Sequence, residues 1–241
     1  MNALLHPPRA HFALGTSYFA LVSAAVVLST ASSLHAKTIV LDWRDLDRAA
    51  AIDEAAPRFS WAMQPWGSGI YSTQQVDLVP NRRLLLRFAL DKVPAKHRIA
   101  HAELTVPVTY RDGPEPRFYL WRMIADWGPG VCYRYRTTRP KKIEWTKPGA
   151  AGNSTDRATR PTDIVRIKTK EATLKNQYKE VTINVTEDVS LWYSGAATNN
   201  GWMFSVEDPG VTVRMHSPLT RDGRATWKLR ITYEPIPDEK P

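Results

Sequence analysis

Period-two alternation runs through most of this chain. Between Arg83 and Leu90, residues Leu84, Leu86, Phe88 and Leu90 fall on one side, and Arg83 and Arg87 on the other. This is the pattern of a strand with one buried and one wet face. Leu104, Val106 and Val108 repeat it, and Pro107 places that strand at an edge or a bulge. Val181, Ile183 and Val185 repeat it again, as do Trp202, Phe204 and Val206, and then Val211, Val213 and Met215. Phe118–Met123 is a short aromatic and branched run. The last strand turns Trp227, Leu229, Ile231 and Tyr233 inward and Lys228, Arg230 and Thr232 outward. Turn signals separate these runs, at Asp112-Gly113-Pro114, Asn199-Asn200-Gly201, Asp208-Pro209-Gly210 and Asp222-Gly223. Many short strands with such punctuation predict an all-β fold, an antiparallel β-sandwich of jelly-roll type.

Two short helices interrupt the pattern. Asp42–Ala56 is rich in alanine and acids and ends before Pro57. Thr186 is placed to cap a second helix through Val189 and Trp192 to Gly195, with Glu187 and Asp188 in its first turn. That helix puts Val189 and Trp192 on one face, over an end of the sandwich.

The N-terminus bears on the compartment. Arg9 precedes an uncharged stretch from Phe12 to Ser33, and small residues lead to Ala36 just before Lys37. A positive start, an apolar run and a small-residue exit read as a secretory signal peptide over residues 1–36, with Ser33 as an alternative end. An uncleaved membrane anchor is the competing reading; after cleavage no transmembrane span is expected. The chain is then secreted, extracellular or in a periplasm or cell envelope. Residues 37–235 are expected to form a single sandwich domain, followed by a polar tail, 236–241. The lone cysteine, Cys132, allows no internal disulfide and reads as a small buried hydrophobe. No Cys/His cluster has zinc spacing, and His97 and His101 fall in what reads as a polar, solvated connection.

Charge changes the picture in one place. The 241-residue chain carries a net +9, and between Val131 and Lys170 there are 11 Lys/Arg against 3 Asp/Glu. Residues 37–130 hold 13 basic and 11 acidic residues, and 171–241 hold 8 and 10, so the rest of the predicted mature part cancels. A concentrated positive surface attracts polyanions. Arginine offers a planar fork for carboxylate or sulfate, and lysine a point charge. Nucleic acid suits the charge but not a secreted protein.

Several segments in the right order resemble the DNRLRE-type domains, related to carbohydrate-binding module family 96 and to the disaggregatase-related proteins. RLLLRFALDKVPAKHRIAHAELTV is similar to their opening pair of strands. In the stretch from Trp127 to Gly152, residues Trp127, Gly130, Val131, Trp145, Pro148 and Gly149 fit a Trp-containing loop followed by a Pro-Gly element. Val185, Thr186, Val189, Trp192, Gly195, Asn200 and Gly201 fit a later segment, and MHSPL with WKLRITY resembles the closing strands. The resemblance spans about Leu78 to Tyr233. The chain departs from it at Ala89, at Cys132-Tyr133-Arg134 and at Thr226-Trp227. It implies a β-sandwich that binds polysaccharide, acidic glycans among them.

The leading expectation is a non-catalytic carbohydrate-binding module for an acidic polysaccharide, through the basic surface in 131–170. Its ligand-binding candidates are Arg134, Arg136, Lys141, Lys142, Tyr133 and Tyr135. The bland alternative for the four cations is a solvated surface. Trp127 and Trp145 read as loop anchors rather than sugar platforms, and Trp192, Trp202 and Trp227 as core. A structural cell-envelope or matrix protein is one alternative. A jelly-roll polysaccharide lyase, with Arg134 or Arg136 neutralising a uronate and Tyr133 or His216 as base, is another. Glu207-Asp208 reads as turn chemistry, so no catalytic residue is assigned. No cofactor is expected beyond room for a structural Ca²⁺, for which Asp42, Asp45 and Asp47 cluster without being assigned as ligands. Asn153 and Asn184 head glycosylation acceptor triplets, of use only in a eukaryotic secretory pathway.

Overall fold

The computed structural model describes residues 36–63, 75–112, 116–167, 178–219 and 226–236. The signal-peptide reading, the Gly-Pro and Asp-Gly turn signals near residues 113 and 222, and most of the polar tail fall outside them. In chain order the strands are β1 (Lys37–Leu41), β2 (Leu46–Asp53), β3 (Trp61–Met63), β4 (Gln75–Leu78), β5 (Arg82–Phe88), β6 (His97–Asp112) and β7 (Arg117–Arg122). Then come β8 (Tyr135–Thr137), β9 (Ile143–Glu144), β10 (Asp163–Arg166), β11 (Lys179–Asn184), helix α1 (Thr186–Tyr193), β12 (Trp202–Ser205), β13 (Thr212–His216) and β14 (Lys228–Pro235). The fold is all-β and its strand pairs are antiparallel, as the alternation predicts.

The first sheet is organised around the 16-residue β6. Thr105 pairs with Thr182 of β11 and with Lys228 of β14, while Val108 pairs with Lys179 of β11 and Met215 of β13. A residue has one partner on each side, so β13 and β14 follow one another along the same edge of β6. Pro107 faces Glu180 on the other edge and sits at the break between β13 and β14, where its missing N–H costs the ladder least. Strands β1 and β4 extend this sheet beyond β14 and β13. The second sheet runs β10-β7-β12-β5-β2-β3.

The sheets pack face to face. Leu84, Leu86, Phe88, Phe118, Trp202 and Phe204 of the second meet Leu78, Leu104, Val106, Val213, Leu229 and Ile231 of the first in one buried cluster. Each such side chain contributes about 1.5–3 kcal/mol by leaving water. Trp227 meets Phe204 edge-on at 5.1 Å, and Trp192 of α1 lies 4.6 Å from Trp202. Val189 and Trp192 are both buried in this core, so α1 covers the sandwich with the predicted face.

Three expectations need correction. The Ala-rich run is not a helix: after a 3-10 turn over Trp43–Asp45, closed by reciprocal bonds between Asp42 and Asp45, it becomes β2. Its alanines are buried on both sides, Ala49 and Ala51 in the main core and Ala50 with Ile52 in a second cluster. A strand buried on both faces loses its alternation, and packing overrides helix propensity. Thr186 is the first helical residue rather than the cap; Val185 takes that place and makes no side-chain cap bond. The Thr186 hydroxyl instead receives the Ala102 N–H at 2.9 Å, and Asn184 Oδ1 receives the Thr186 N–H at 3.0 Å. His97 and His101 belong to β6, not to a connection, because the backbone there continues the ladder with β14, His97 opposite Pro235 and His101 opposite Thr232.

Candidate functional site

The second sheet has a covered outer face. Ala50, Ile52, Leu85, Trp121, Met123 and Met203 point away from the main core and pack against Trp127, Val131, Trp145 and Ala150. The segment from Trp127 to Arg157 therefore lies over the sheet as a cap with its own small core. Trp127 and Trp145 are 2% and 4% exposed and act as its anchors. Trp127 Nε1 donates to the Asn200 carbonyl at 2.8 Å, and Trp145 Nε1 to the Cys132 carbonyl at 2.9 Å. Cys132 is fully buried. Buried Asp156 takes three backbone N–H bonds, from Thr146, Lys147 and Gly152, each 2.9 Å long. Charge-assisted bonds of this kind are worth about twice a neutral one, so one carboxylate organises the C-terminal half of the cap.

A short ribbon, β8 paired with β9, projects from the cap. Gly130, at φ +76°, lets the chain turn beneath it, and a Cβ there would lie 1.7 Å from Thr138 Oγ1. The Gly128 N–H bonds the Arg136 carbonyl and the Thr138 N–H bonds the Pro129 carbonyl, so the ribbon is tied to its base. Between its strands lie Arg139, Pro140, Lys141 and Lys142, all exposed.

The six residues expected to bind ligand separate into three groups here. Arg134 is exposed but pairs with Glu144, Nη2 to Oε1 2.9 Å, and that bond holds its pKa above the usual value. Arg136 donates to the Asp126 carbonyl at 3.0 Å. Lys141 and Lys142 have no carboxylate partner among the described residues. The Tyr135 ring carries Arg134 at 5.4 Å and Lys142 at 5.9 Å from its centroid. Tyr133 turns the other way, toward the sheet, and burial pushes its hydroxyl pKa up. Tyr133 and Arg134 lie in a bend rather than in β8, so strict alternation does not govern them. Arg139, not among the six expected residues, shares this exposed turn, and its place in the run Arg139-Pro140-Lys141-Lys142 signals it.

One other basic residue of this stretch, Arg157, faces inward, whereas Lys147, Arg160 and Arg166 are exposed. Arg157 lies with its guanidinium carbon 3.6 Å over the Trp121 ring and pairs with Glu207 at 3.2 Å. Arg83 of β5, read as outward and wet, is buried and donates to the Gly149 carbonyl. Gly149, at φ +75°, is needed there: a Cβ would lie 2.7 Å from the Tyr133 ring and 2.8 Å from Arg83 Nη1. Nothing in the alternation distinguishes Arg83 from a solvated arginine, since the cap that buries it comes from far along the chain. At the end of β7, Arg122 meets Asp188 of α1 at 3.1 Å, and Asp188 also accepts from Thr162 and from Trp202 Nε1. Burial pushes the Asp188 carboxyl up despite these partners.

Asp42 and Asp45 close their own 3-10 turn, and Asp47 pairs with Arg87 and Arg48. No cluster of three metal-ligating side chains occurs among the described residues. His216 lies in β13, with its ring 5.5 Å from Tyr178. No described helix is long and apolar enough to cross a membrane. No protein-family model and no curated protein matches the chain.

Proposed function

We propose that this protein is a secreted, non-catalytic binder of an acidic polysaccharide, built on a jelly-roll sandwich of the DNRLRE kind. The observation that carries this reading is the ribbon. Arg139, Lys141 and Lys142 stand exposed on one short turn, without carboxylate partners among the described residues, beside the Tyr135 ring. Clustered cations raise the local potential and capture a polyanion that scattered charges would not. A tyrosine beside them offers a flat apolar face to a sugar ring. The residues that resemble the family pattern, from Trp127 to Gly149, are those that anchor the cap, while the cations occupy its exposed ribbon.

The weight among the six candidates shifts with this geometry. Arg134 is neutralised by Glu144 and Arg136 is engaged with a backbone carbonyl, so Lys141 and Lys142, with Arg139 added, carry the capture. Tyr135 is assigned to stacking and Tyr133 is not part of the ribbon's surface.

Gel retardation in alginate, in a sulfated glycan and in a neutral glucan tests the reading. The expected result is retardation by the acidic chains at low salt and none by the neutral one. The triple variant Arg139→Ala, Lys141→Ala, Lys142→Ala should weaken it about tenfold, at roughly 0.5 kcal/mol per exposed charge. No retardation by any acidic chain at low salt overturns it.

A further inference from the structure

Two buried arginines on the outer face of the second sheet have one anion, Glu207, between them among the described residues. Arg83 is 7% exposed and Arg157 9%. Moving a guanidinium out of water is costly unless an anion and a full set of hydrogen bonds replace its hydration. Arg157 has an anion and part of that set: Glu207 Oε1 at 3.2 Å from Nη1, Asn153 Oδ1 at 3.3 Å from Nε, and the Trp121 ring beneath. Arg83 has a backbone carbonyl, that of Gly149, and its Nε is buried with no partner among the described residues. The two cations also sense each other. Burial is the main cause that lowers the Arg157 pKa, and Arg83 adds to it.

Tyr133 closes the same spot, its ring and Arg83 Nη1 both lying against Gly149. The phenol also sits in the fields of Glu54 and Glu207. Glu207 is already neutralised by Arg157 and accepts the Ser205 hydroxyl at 2.7 Å. Its side chain is 35% exposed, and Tyr133 is partly exposed, so solvent reaches this edge of the cluster.

Resting on the reading of the protein as a binder of acidic glycans, we infer that Arg83, Arg157 and Tyr133 form a second subsite, which takes a single carboxylate or sulfate group of the ligand beside Glu207. The ribbon acts on the summed charge of a polymer and at long range. This subsite acts on one oxyanion at contact, where a guanidinium fork matches two oxygens and the phenol donates a third bond. Its affinity therefore survives on a monosaccharide and at salt concentrations that screen the ribbon.

The test titrates the full-length chain with glucuronate, with inorganic sulfate and with glucose, at constant ionic strength set by sodium chloride, and follows Tm and tyrosine fluorescence. Saturable stabilisation by glucuronate or sulfate above the chloride baseline, and none by glucose, is the expected result. Glucuronate alone saturating assigns the subsite to uronates; sulfate alone assigns it to sulfated chains. Arg83→Lys and Tyr133→Phe each keep the packing and should weaken that binding about tenfold, the worth of one charge-assisted bond. The ribbon variant Lys141→Ala, Lys142→Ala should leave it within about twofold, since these exposed charges make no contact in the subsite and salt screens them. No saturable effect beyond chloride, or binding indifferent to both Arg83→Lys and Tyr133→Phe, overturns the subsite. Polymer retention without monosaccharide binding removes the subsite and leaves the ribbon. Monosaccharide binding with polymer retention untouched by the ribbon variant removes the ribbon and leaves the subsite.

Discussion

The two sheets present outer faces of the same alternating origin and opposite fate. On the first sheet that face meets water: Arg230 is exposed, Thr38 bonds Thr232 at 3.0 Å, and Arg214 pairs with Asp77. On the second sheet the same face is roofed by the Trp127–Arg157 cap, and Leu85, Met203 and Trp121 become a second core. Alternation reports which residues share a face, not what covers it. Solvent takes the outer face of the first sheet, whereas on the second the Trp127–Arg157 segment takes it and buries arginines along with apolar residues.

The sharpest way to break this comparison is to remove an anchor from each core. Trp202→Ala in the main core should cost about 3–5 kcal/mol and unfold the molecule in one transition. Trp145→Ala should cost a similar local amount, but release the cap first: protease sites between residues 127 and 157 open while the far-ultraviolet β signal persists. A single transition with unchanged denaturant slope for Trp145→Ala would mean that cap and sandwich are one cooperative unit. Asp156→Ala should imitate the cap release, by leaving one buried and two part-buried N–H groups without their acceptor, at about 1–3 kcal/mol.

Packing on the two faces gives a smaller contrast. Ala50→Leu, beneath the cap, should destabilise by about 1–3 kcal/mol through overpacking. Arg230→Leu, on the wet face, should stay within about 0.5 kcal/mol. Equal costs in urea denaturation would show that the two outer faces do not differ.

Two carboxylates give the smallest contrast, with opposite signs. Burial raises the Asp188 pKa, so the folded state holds its proton more tightly than the unfolded chain. Its contribution to stability is greatest below the ordinary aspartate value of 3.8 and declines as pH rises through the raised folded pKa. Asp208 is held below 3.8, chiefly by its hydrogen bonds from Arg117. Its contribution is present above that value and is lost as pH falls through the depressed pKa. Asp188→Asn should therefore flatten the decline on the upper side, and Asp208→Asn the loss on the acid side, in urea midpoints measured from pH 3 to 6.5. Variants that leave both limbs unchanged would remove these two groups from the account.

The inward and outward positions of β14 read directly from the sequence, because that strand has one wet face and its alternation is intact. So did the burial of Trp192, Trp202 and Trp227. Strand β2 did not, since both of its faces are covered and its alanines then imitate a helix. Arg83 was read as wet for the same reason, its cover arriving from some sixty residues away in the chain. Of the candidate ligand residues, the exposure of Lys141 and Lys142 was legible from their run of charges. The capture of Arg134 by Glu144 depends on the pairing of β8 with β9, and the inward turn of Tyr133 on the left-handed Gly149, neither of which a charge count reveals.

The claim that the ribbon captures an acidic chain is tested most directly by salt. Dissociation constants for a polyuronate, measured from about 20 to 200 mM NaCl, should rise steeply for the native chain as bound counterions cease to be released. For the Arg139→Ala, Lys141→Ala, Lys142→Ala variant, with its Tm unchanged, the slope of log Kd against log salt should be markedly shallower. A slope identical to that of the native chain would contradict the account.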